Sequence, residues 1–167
     1  TFAATAEAVA QLGYRLQFVD VDPDTWTLDP EAVALALNTS PVTVVIAVDA
    51  LGNPADYARL TAVCADAGVP LVADSAPSLG SRDQGTPIGG QADVHAFSMS
   101  FAKTVSAGGS GGFVTLPREW LPRLTVPVDW TRSALLGEVH AAVALDQVRA
   151  LEQILRRRGA VADVYAD

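Results

Sequence analysis

Residues 42–48 are nearly all apolar and β-branched, which is typical of a strand covered on both of its faces. Segments with a helical period flank this run. Residues 4–12 are Ala-rich and stop at Gly13, and residues 54–67 are amphipathic and stop at Gly68. Strands that alternate with helices at this spacing indicate βαβ units. We therefore predict an α/β fold in three layers, α/β/α, with a mainly parallel sheet.

The remaining segments continue the alternation. Asp29 is the predicted N-cap of a helix that has Pro30 at its first position and extends to about Leu37. The other predicted elements are strands at residues 16–21, 70–73, 94–99 and 112–116, a connection at residues 117–130, and a helical pattern at residues 135–165 that is interrupted near Gly159.

Composition restricts the classes of function. The 167 residues carry a net charge of −8, which argues against a nucleic-acid-binding surface. No apolar run approaches the roughly 20 residues that span a bilayer, and no basic-then-apolar leader is present, so we expect a cytoplasmic protein without membrane contact. Cys64 is the only cysteine, and neither histidine has a second one at ligand spacing, so we expect no metal site.

Polar residues follow two of the predicted strands, where ligands bind in open α/β sheets. Asp74 comes after one strand, Ser98 ends another, and Lys103 follows Ser98. The neighbours Phe101 and Val105 favour a poorly solvated lysine amine, and a neutral amine is what Schiff-base chemistry requires. From local sequence alone, two alternatives stay open: a surface lysine in a glycine-rich loop, and an aspartate that caps the following turn.

Several motifs occur together along the chain. Phe97-Ser98 precedes Lys103 and the Gly111-Gly112 pair, and Asp74-Ser75-Ala76 lies upstream. With residues 1–9, 18–25, 28–31 and 138–147, these motifs resemble the DegT/DnrJ/EryC1/StrS family of sugar aminotransferases. That family has the fold-type I architecture and uses pyridoxal 5'-phosphate. The resemblance extends along nearly the whole chain.

The resemblance implies a role for each candidate residue. Lys103 would carry the cofactor as a Schiff base and later shuttle a proton between the substrate carbon and the cofactor carbon. Asp74 would pair with the pyridine nitrogen, Ser98 would contact the cofactor phosphate, and Phe2 would stack on the pyridine ring. Ser133 falls near the position of an asparagine that reaches the phosphate of the partner subunit.

The resemblance also implies a reaction and an organisation. An amino acid, typically glutamate, would give its amine to the cofactor, and a keto sugar on a nucleotide would then take it. A lysine at position 103 disfavours the related sugar dehydrases, which have a histidine there. Residues 1–130 would form the cofactor-binding part of the large domain, and residues 131–167 a long helix toward a small domain that the chain lacks. The active site would lie at a homodimer interface.

The chain departs from the family pattern at several positions. Asp49 stands where a histidine is usual, Pro77 where glutamine or histidine is usual, and Ser110 replaces a common glutamate. These departures leave two alternatives open. One is a non-catalytic structural or interaction domain that retains the fold. The other is a pyridoxal-phosphate enzyme of a different class, a cyclase, decarboxylase or lyase that acts on an amino acid.

Overall fold

The computed structural model describes residues 2–109, 111–124 and 136–166. Its strands are β1 Val45–Val48, β2 Leu71–Asp74, β3 Arg82–Asp83, β4 Thr86–Pro87, β5 Val94–Ser98 and β6 Gly112–Thr115. Four of them form one sheet in the order β1-β2-β5-β6, in which β1, β2 and β5 are parallel and β6 is antiparallel to β5. The predicted α/β fold with a mainly parallel sheet is confirmed.

The helices are α1 Ala3–Gln11, α2 Pro30–Thr39, α3 Tyr57–Ala67, α4 Glu138–Arg149 and α5 Leu151–Ala166, with 3-10 turns at Ala50–Gly52 and Arg118–Arg123. Among these described helices, none has both the length and the apolar character that crossing a lipid bilayer requires.

Local capping sets the ends of the central helices. The Asp29 carboxylate accepts from the Glu31 N–H at 2.9 Å at the start of α2, as predicted. At the start of α3, the Asp56 carboxylate accepts from the Arg59 N–H at 3.1 Å. The helix begins at Tyr57, three residues later than the predicted start at Pro54. Gly68 ends α3 with a φ of 66°, a left-handed conformation that favours glycine, also as predicted.

The main hydrophobic core lies between the sheet and helices α2 and α3, which contact each other. Its buried members are Val33, Val45, Ala47, Ala55, Tyr57, Leu60, Cys64, Leu71, Ala73, Ile88 and Phe97. A second, smaller cluster joins the segment after β5 to helix α4, and consists of Met99, Val105, Ala107 and Ala144. The second cluster fixes the chain beyond the carboxyl end of β5.

Two predicted elements are wrong. Residues 16–21 form no strand, because Val21 makes only an isolated bridge to Leu28, and Phe18 is 81% exposed. The apolar pattern there has no neighbouring strand among the described residues. The C-terminal helical pattern breaks at Ala150 and not near Gly159, which lies inside α5. Of the predicted connection at residues 117–130, residues 125–130 lie outside the described part of the chain.

Candidate active site

Asp74 and Ser98 lie at the same edge of the sheet. Strands β2 and β5 are parallel neighbours in which Asp74 pairs with Ala96, so Ser98 lies two residues further toward that edge. Neighbouring strands are separated by about 4.8 Å. Lys103 follows in the turn after β5, where its N–H donates to the Ser100 carbonyl at 2.9 Å. The fold therefore places Asp74 and Ser98 at the carboxyl ends of two adjacent strands and Lys103 in the turn just beyond one of them.

The Asp74 carboxylate is oriented by one contact to each oxygen. The Thr5 hydroxyl donates to Oδ2 at 2.5 Å, and the Ala76 N–H donates to Oδ1 at 3.1 Å. An ionised carboxylate can accept about four hydrogen bonds, so Asp74 can receive a further donor. The contact from Thr5 also brings helix α1 to this edge. Phe2, three residues before Thr5, is 77% exposed.

Lys103 is only half-buried, and its amine makes no hydrogen bond or ion pair with any residue that the structure describes. The expected cover by Phe101 is wrong, because that side chain is 82% exposed and points into solvent. The Ser98 hydroxyl accepts from the Ser100 N–H at 3.3 Å and donates to the Ser100 hydroxyl at 3.4 Å. Lys103 thus keeps its amine available at the edge of the sheet, whereas the hydrogen of Ser98 is held by one long contact.

The segment after Lys103 is held firmly. Val105 and Ala107 are fully buried, and the Ala107 N–H donates to the Met99 carbonyl at 2.8 Å. Gln147 of helix α4 accepts from the Ser106 N–H and donates to the Ser106 carbonyl, each at 2.9 Å. The turn that carries Lys103 is therefore bounded on one side by strand β5 and on the other by a buried, doubly bonded segment.

A buried polar cluster around Asp49 includes Ser75, the residue after Asp74, and was not predicted from the sequence. The Asp49 carboxylate is fully buried. It accepts from the Ala55 N–H at 3.1 Å, the Tyr57 hydroxyl at 2.5 Å, the Ser75 hydroxyl at 2.7 Å and the Ser78 hydroxyl at 2.6 Å. Burial and this carboxylate both raise the pKa of Tyr57, which keeps the phenol protonated as a donor. The only sequence signal was Asp49 as a departure from the family pattern.

His95 belongs to the same cluster. The histidine is fully buried in β5, and its Nδ1 lies 2.9 Å from the Ser75 hydroxyl. Burial lowers the pKa of His95, while the charge of Asp49 opposes that shift. In the described parts of the chain, no three histidine, cysteine or carboxylate side chains are grouped as a metal site would require. The candidate Ser133 lies outside the described residues.

A sequence profile of the DegT/DnrJ/EryC1/StrS aminotransferase family matches residues 1–123. The chain belongs to that family. The match includes Phe2, Asp74, Ser98 and Lys103, and it ends before helix α4 and the Gln147 contact. The resemblance stated from the sequence is therefore confirmed.

Individual relatives support the same assignment. The chain is 40% identical over 117 residues to the 3-amino-5-hydroxybenzoate synthase of Amycolatopsis mediterranei (strain S699), covering 70% of this chain and 30% of that protein. It is 31% identical to the L-glutamine:scyllo-inosose aminotransferase of Streptomyces griseus, covering 100% of this chain and 45% of that protein. The crystal structure of DesI in the presence of its TDP-sugar product superposes with a TM-score of 0.77 at 30% identity, covering 92% of this chain and 42% of that one. The chain thus spans less than half of the length of these relatives.

Proposed function

We propose that this chain is the cofactor-binding portion of a pyridoxal-phosphate-dependent aminotransferase that acts on a keto sugar or a related cyclic ketone. The observation that carries the proposal is the placement of Asp74 at the carboxyl end of β2 and of Lys103 in the turn that follows the adjacent parallel strand β5. A carboxylate and a primary amine on neighbouring strand ends can hold the two sides of one flat heteroaromatic aldehyde.

The residues present fit this cofactor. The Asp74 carboxylate has capacity for another donor beyond Thr5 and Ala76, as a protonated ring nitrogen would supply. The Lys103 amine is not engaged by any described residue. The Ser98 hydroxyl would exchange its 3.4 Å contact with the Ser100 hydroxyl for a stronger hydrogen bond to a phosphate. When bound, pyridoxal phosphate supplies an aldehyde for a lysine amine and a ring that withdraws electrons from the substrate carbon.

Each residue would then have a distinct task. Asp74 would keep a proton on the ring nitrogen, and Thr5 would hold the carboxylate in the orientation that this contact requires. Lys103 would act as nucleophile toward the aldehyde and afterwards move a proton to or from the substrate carbon. Phe2 would pack on the ring face and exclude water there. We also propose Ser133 for the phosphate, by the family resemblance alone.

The names of the relatives support a proposal for the substrate class. One relative is named for an inosose and L-glutamine, and the crystal structure of another, DesI, was analysed in the presence of its TDP-sugar product. We therefore propose glutamate or glutamine as the amine donor and a cyclic keto sugar as the acceptor. As the family resemblance implies, we further propose that this keto sugar is linked to a nucleotide.

We propose that the complete protein works as a homodimer. Leu51 is 84% exposed, Phe101 is 82% exposed and Phe2 is 77% exposed. Leu51 and Phe101 follow the carboxyl ends of β1 and β5, and Phe2 lies one helical turn from the Thr5 contact with Asp74. Large apolar side chains exposed at one edge favour a protein partner there. A second copy would cover them and enclose the site.

Cofactor trapping tests the proposal sharply because Lys103 is the only lysine of the chain. The chain is incubated with pyridoxal phosphate, reduced with borohydride, digested and analysed by mass spectrometry. We expect one reduced adduct on Lys103, and its loss in Lys103→Arg, which keeps the positive charge but removes the nucleophile. The amino terminus is the other primary amine, so adduct there measures non-specific labelling.

The donor reaction is tested next, on the full-length protein. L-glutamate and L-glutamine are added separately to the loaded protein, and conversion of the cofactor to its amine form is followed by absorbance. We expect conversion with at least one of the two donors, and none in Lys103→Arg. Labelling of the amino terminus alone would overturn the proposal and favour a non-catalytic domain. Labelling of Lys103 with conversion by neither donor would favour a different reaction class.

A further inference from the structure

The strongest feature outside the assigned site is the buried cluster around Asp49. The carboxylate has no cation beside it among the described residues, and its four hydrogen-bond donors are all neutral. Four donors match the lone-pair capacity of an ionised carboxylate, and a buried charge is tolerated only when it is satisfied in this way. No buried side-chain polar atom in the described residues lacks a hydrogen-bond partner.

The hydrogen bonds of His95 determine which groups in the cluster donate and which accept. Its Nε2 accepts from the backbone N–H groups of Gln91 and Ala92, at 3.2 and 3.1 Å. A ring nitrogen that accepts from two N–H groups carries no proton, so the neutral imidazole is protonated at Nδ1. The Nδ1–H then donates to the Ser75 oxygen, and the Ser75 hydroxyl donates its single hydrogen to Asp49.

This chain of hydrogen bonds leads directly to the candidate site. Ser75 follows Asp74 in the sequence, and the Asp49 N–H donates to the Asp74 carbonyl at 3.1 Å. Asp49 thus holds the backbone of Asp74 and the side chain of Ser75 together. The turn that they fix sets the position of the Ala76 N–H, which donates to the Asp74 carboxylate.

We propose that Asp49 is a positioning residue for the Asp74 carboxylate, acting through Ser75, whose hydroxyl is oriented by the Nδ1–H of His95. The part of this proposal that concerns the cofactor rests on the proposed function, whereas the orientation of Asp74 does not. By the family resemblance alone, the position of Asp49 is one where a histidine is usual. A carboxylate there fits only because Tyr57, Ser75 and Ser78 all present hydroxyl donors to it.

The first test uses the chain without cofactor. In Asp49→Asn, the amide oxygen must face the Ala55 N–H, so the amide NH2 faces Ser75. Ser75 already accepts a hydrogen bond from the His95 N–H, and its own hydroxyl hydrogen loses its acceptor. Tyr57→Phe is the matched control, because it removes one donor from Oδ1 of the same carboxylate, whereas Ser75 donates to Oδ2. Amide hydrogen exchange of Ala76 is the readout, corrected for the global stability of each variant by urea unfolding.

We expect exchange at Ala76 to be about tenfold faster in Asp49→Asn and unchanged in Tyr57→Phe, as for the loss of one charge-assisted hydrogen bond. If Asp49→Asn does not fold, Ser75→Ala replaces it with the same expectation. Equal exchange in the variant and the control would overturn the proposal, since Asp49 would then contribute only to global stability. If nitrogen NMR spectra show the Nε2–H tautomer of His95, the proposed donation from His95 to Ser75 and from Ser75 to Asp49 is overturned.

The second test uses pyridoxal phosphate labelled with nitrogen-15 at the ring nitrogen, whose chemical shift reports protonation. In Asp49→Asn, we expect the adduct on Lys103 to remain and the ring-nitrogen shift to move toward the unprotonated value, with no such change in Tyr57→Phe. An unchanged shift would overturn the proposed action on the cofactor. If the unsubstituted chain forms no adduct, the proposed function fails, while the Ala76 measurement still decides whether Asp49 positions Asp74.

Discussion

The side-chain amide of Gln147 forms two hydrogen bonds with the backbone of Ser106, accepting from its N–H and donating to its carbonyl, each at 2.9 Å. Ser106 lies three residues after Lys103, and the two residues beside it, Val105 and Ala107, are fully buried. The amide therefore joins helix α4 to the segment that follows Lys103, and it satisfies both backbone polar groups of Ser106. Only an amide can make this pair of contacts, because it carries a donor and an acceptor side by side.

We expect Gln147→Glu to weaken this junction. One oxygen of the new carboxylate can still accept from the Ser106 N–H. The other oxygen replaces the amide NH2 and faces the Ser106 carbonyl oxygen, so two acceptors oppose each other. The expected loss is about 1–2 kcal/mol in the free energy of unfolding, measured in urea. Trapped cofactor on Lys103 should also decrease at subsaturating pyridoxal phosphate.

Gln153→Glu is the matched control, because it makes the same substitution at an exposed position of α5. We expect a change of less than about 0.5 kcal/mol there. Equal effects at the two positions would contradict the assigned role of Gln147, since added negative charge alone would then explain the loss.

Two glycines form a contrasting pair. A Cβ at Gly112 in β6 would overlap the carbonyl oxygen of Phe97, so the neighbouring strand leaves no room for a side chain. A Cβ at Gly159 in α5 meets nothing within 4 Å. We expect Gly112→Ala to destabilise the protein by about 1–3 kcal/mol and Gly159→Ala to stabilise it by about 0.5–1 kcal/mol. Thermal unfolding of both variants checks this, and a stabilising Gly112→Ala would contradict the close approach of β5 and β6.

Local sequence was sufficient to predict helix ends and buried strands, where one residue type at one position determines the structure. Asp29 capped the predicted helix, Gly68 ended another, and the apolar runs gave β1, β2 and β5 within a few residues. The pattern failed at residues 16–21, because an apolar alternation forms a strand only when a neighbouring strand is present. It also failed at Gly159, because a glycine inside a helix weakens it without breaking it.

The site was predictable residue by residue but not as an arrangement. Asp74, Ser98 and Lys103 were each recognised at the end of a predicted strand or shortly after it, and the resemblance supplied their expected roles. The cluster of Asp49, Ser75 and His95 was not predicted, because its contacts join residues 26 and 20 positions apart. Such contacts depend on the order and register of β1, β2 and β5, which composition and periodicity do not determine.

The rate at which a reagent modifies the buried Cys64 thiol measures how often the hydrophobic core unfolds locally. The thiol is 2% exposed, and burial, followed by the nearby charge of Asp93, raises its pKa. We expect modification by a thiol reagent to be at least about 100-fold slower in the folded chain than in urea. The cysteine is the only one in the sequence, so the total thiol signal reports this site alone. Rapid modification under native conditions would contradict the packing of α3 on the sheet.

Buried His95 makes the stability of the fold depend on pH. Burial lowers its pKa below the usual 6.5, so in the window just below pH 6.5 the unfolded chain binds more protons than the folded chain. The free energy of unfolding should therefore be fully retained above pH 6.5 and decrease below it, by at most about 1.4 kcal/mol per pH unit. Urea unfolding between pH 5 and 8 measures this slope. His95→Asn should flatten it and His140→Asn, at an exposed position, should not. A slope that survives in His95→Asn would assign the pH dependence to other groups and contradict a neutral His95 as the donor to Ser75.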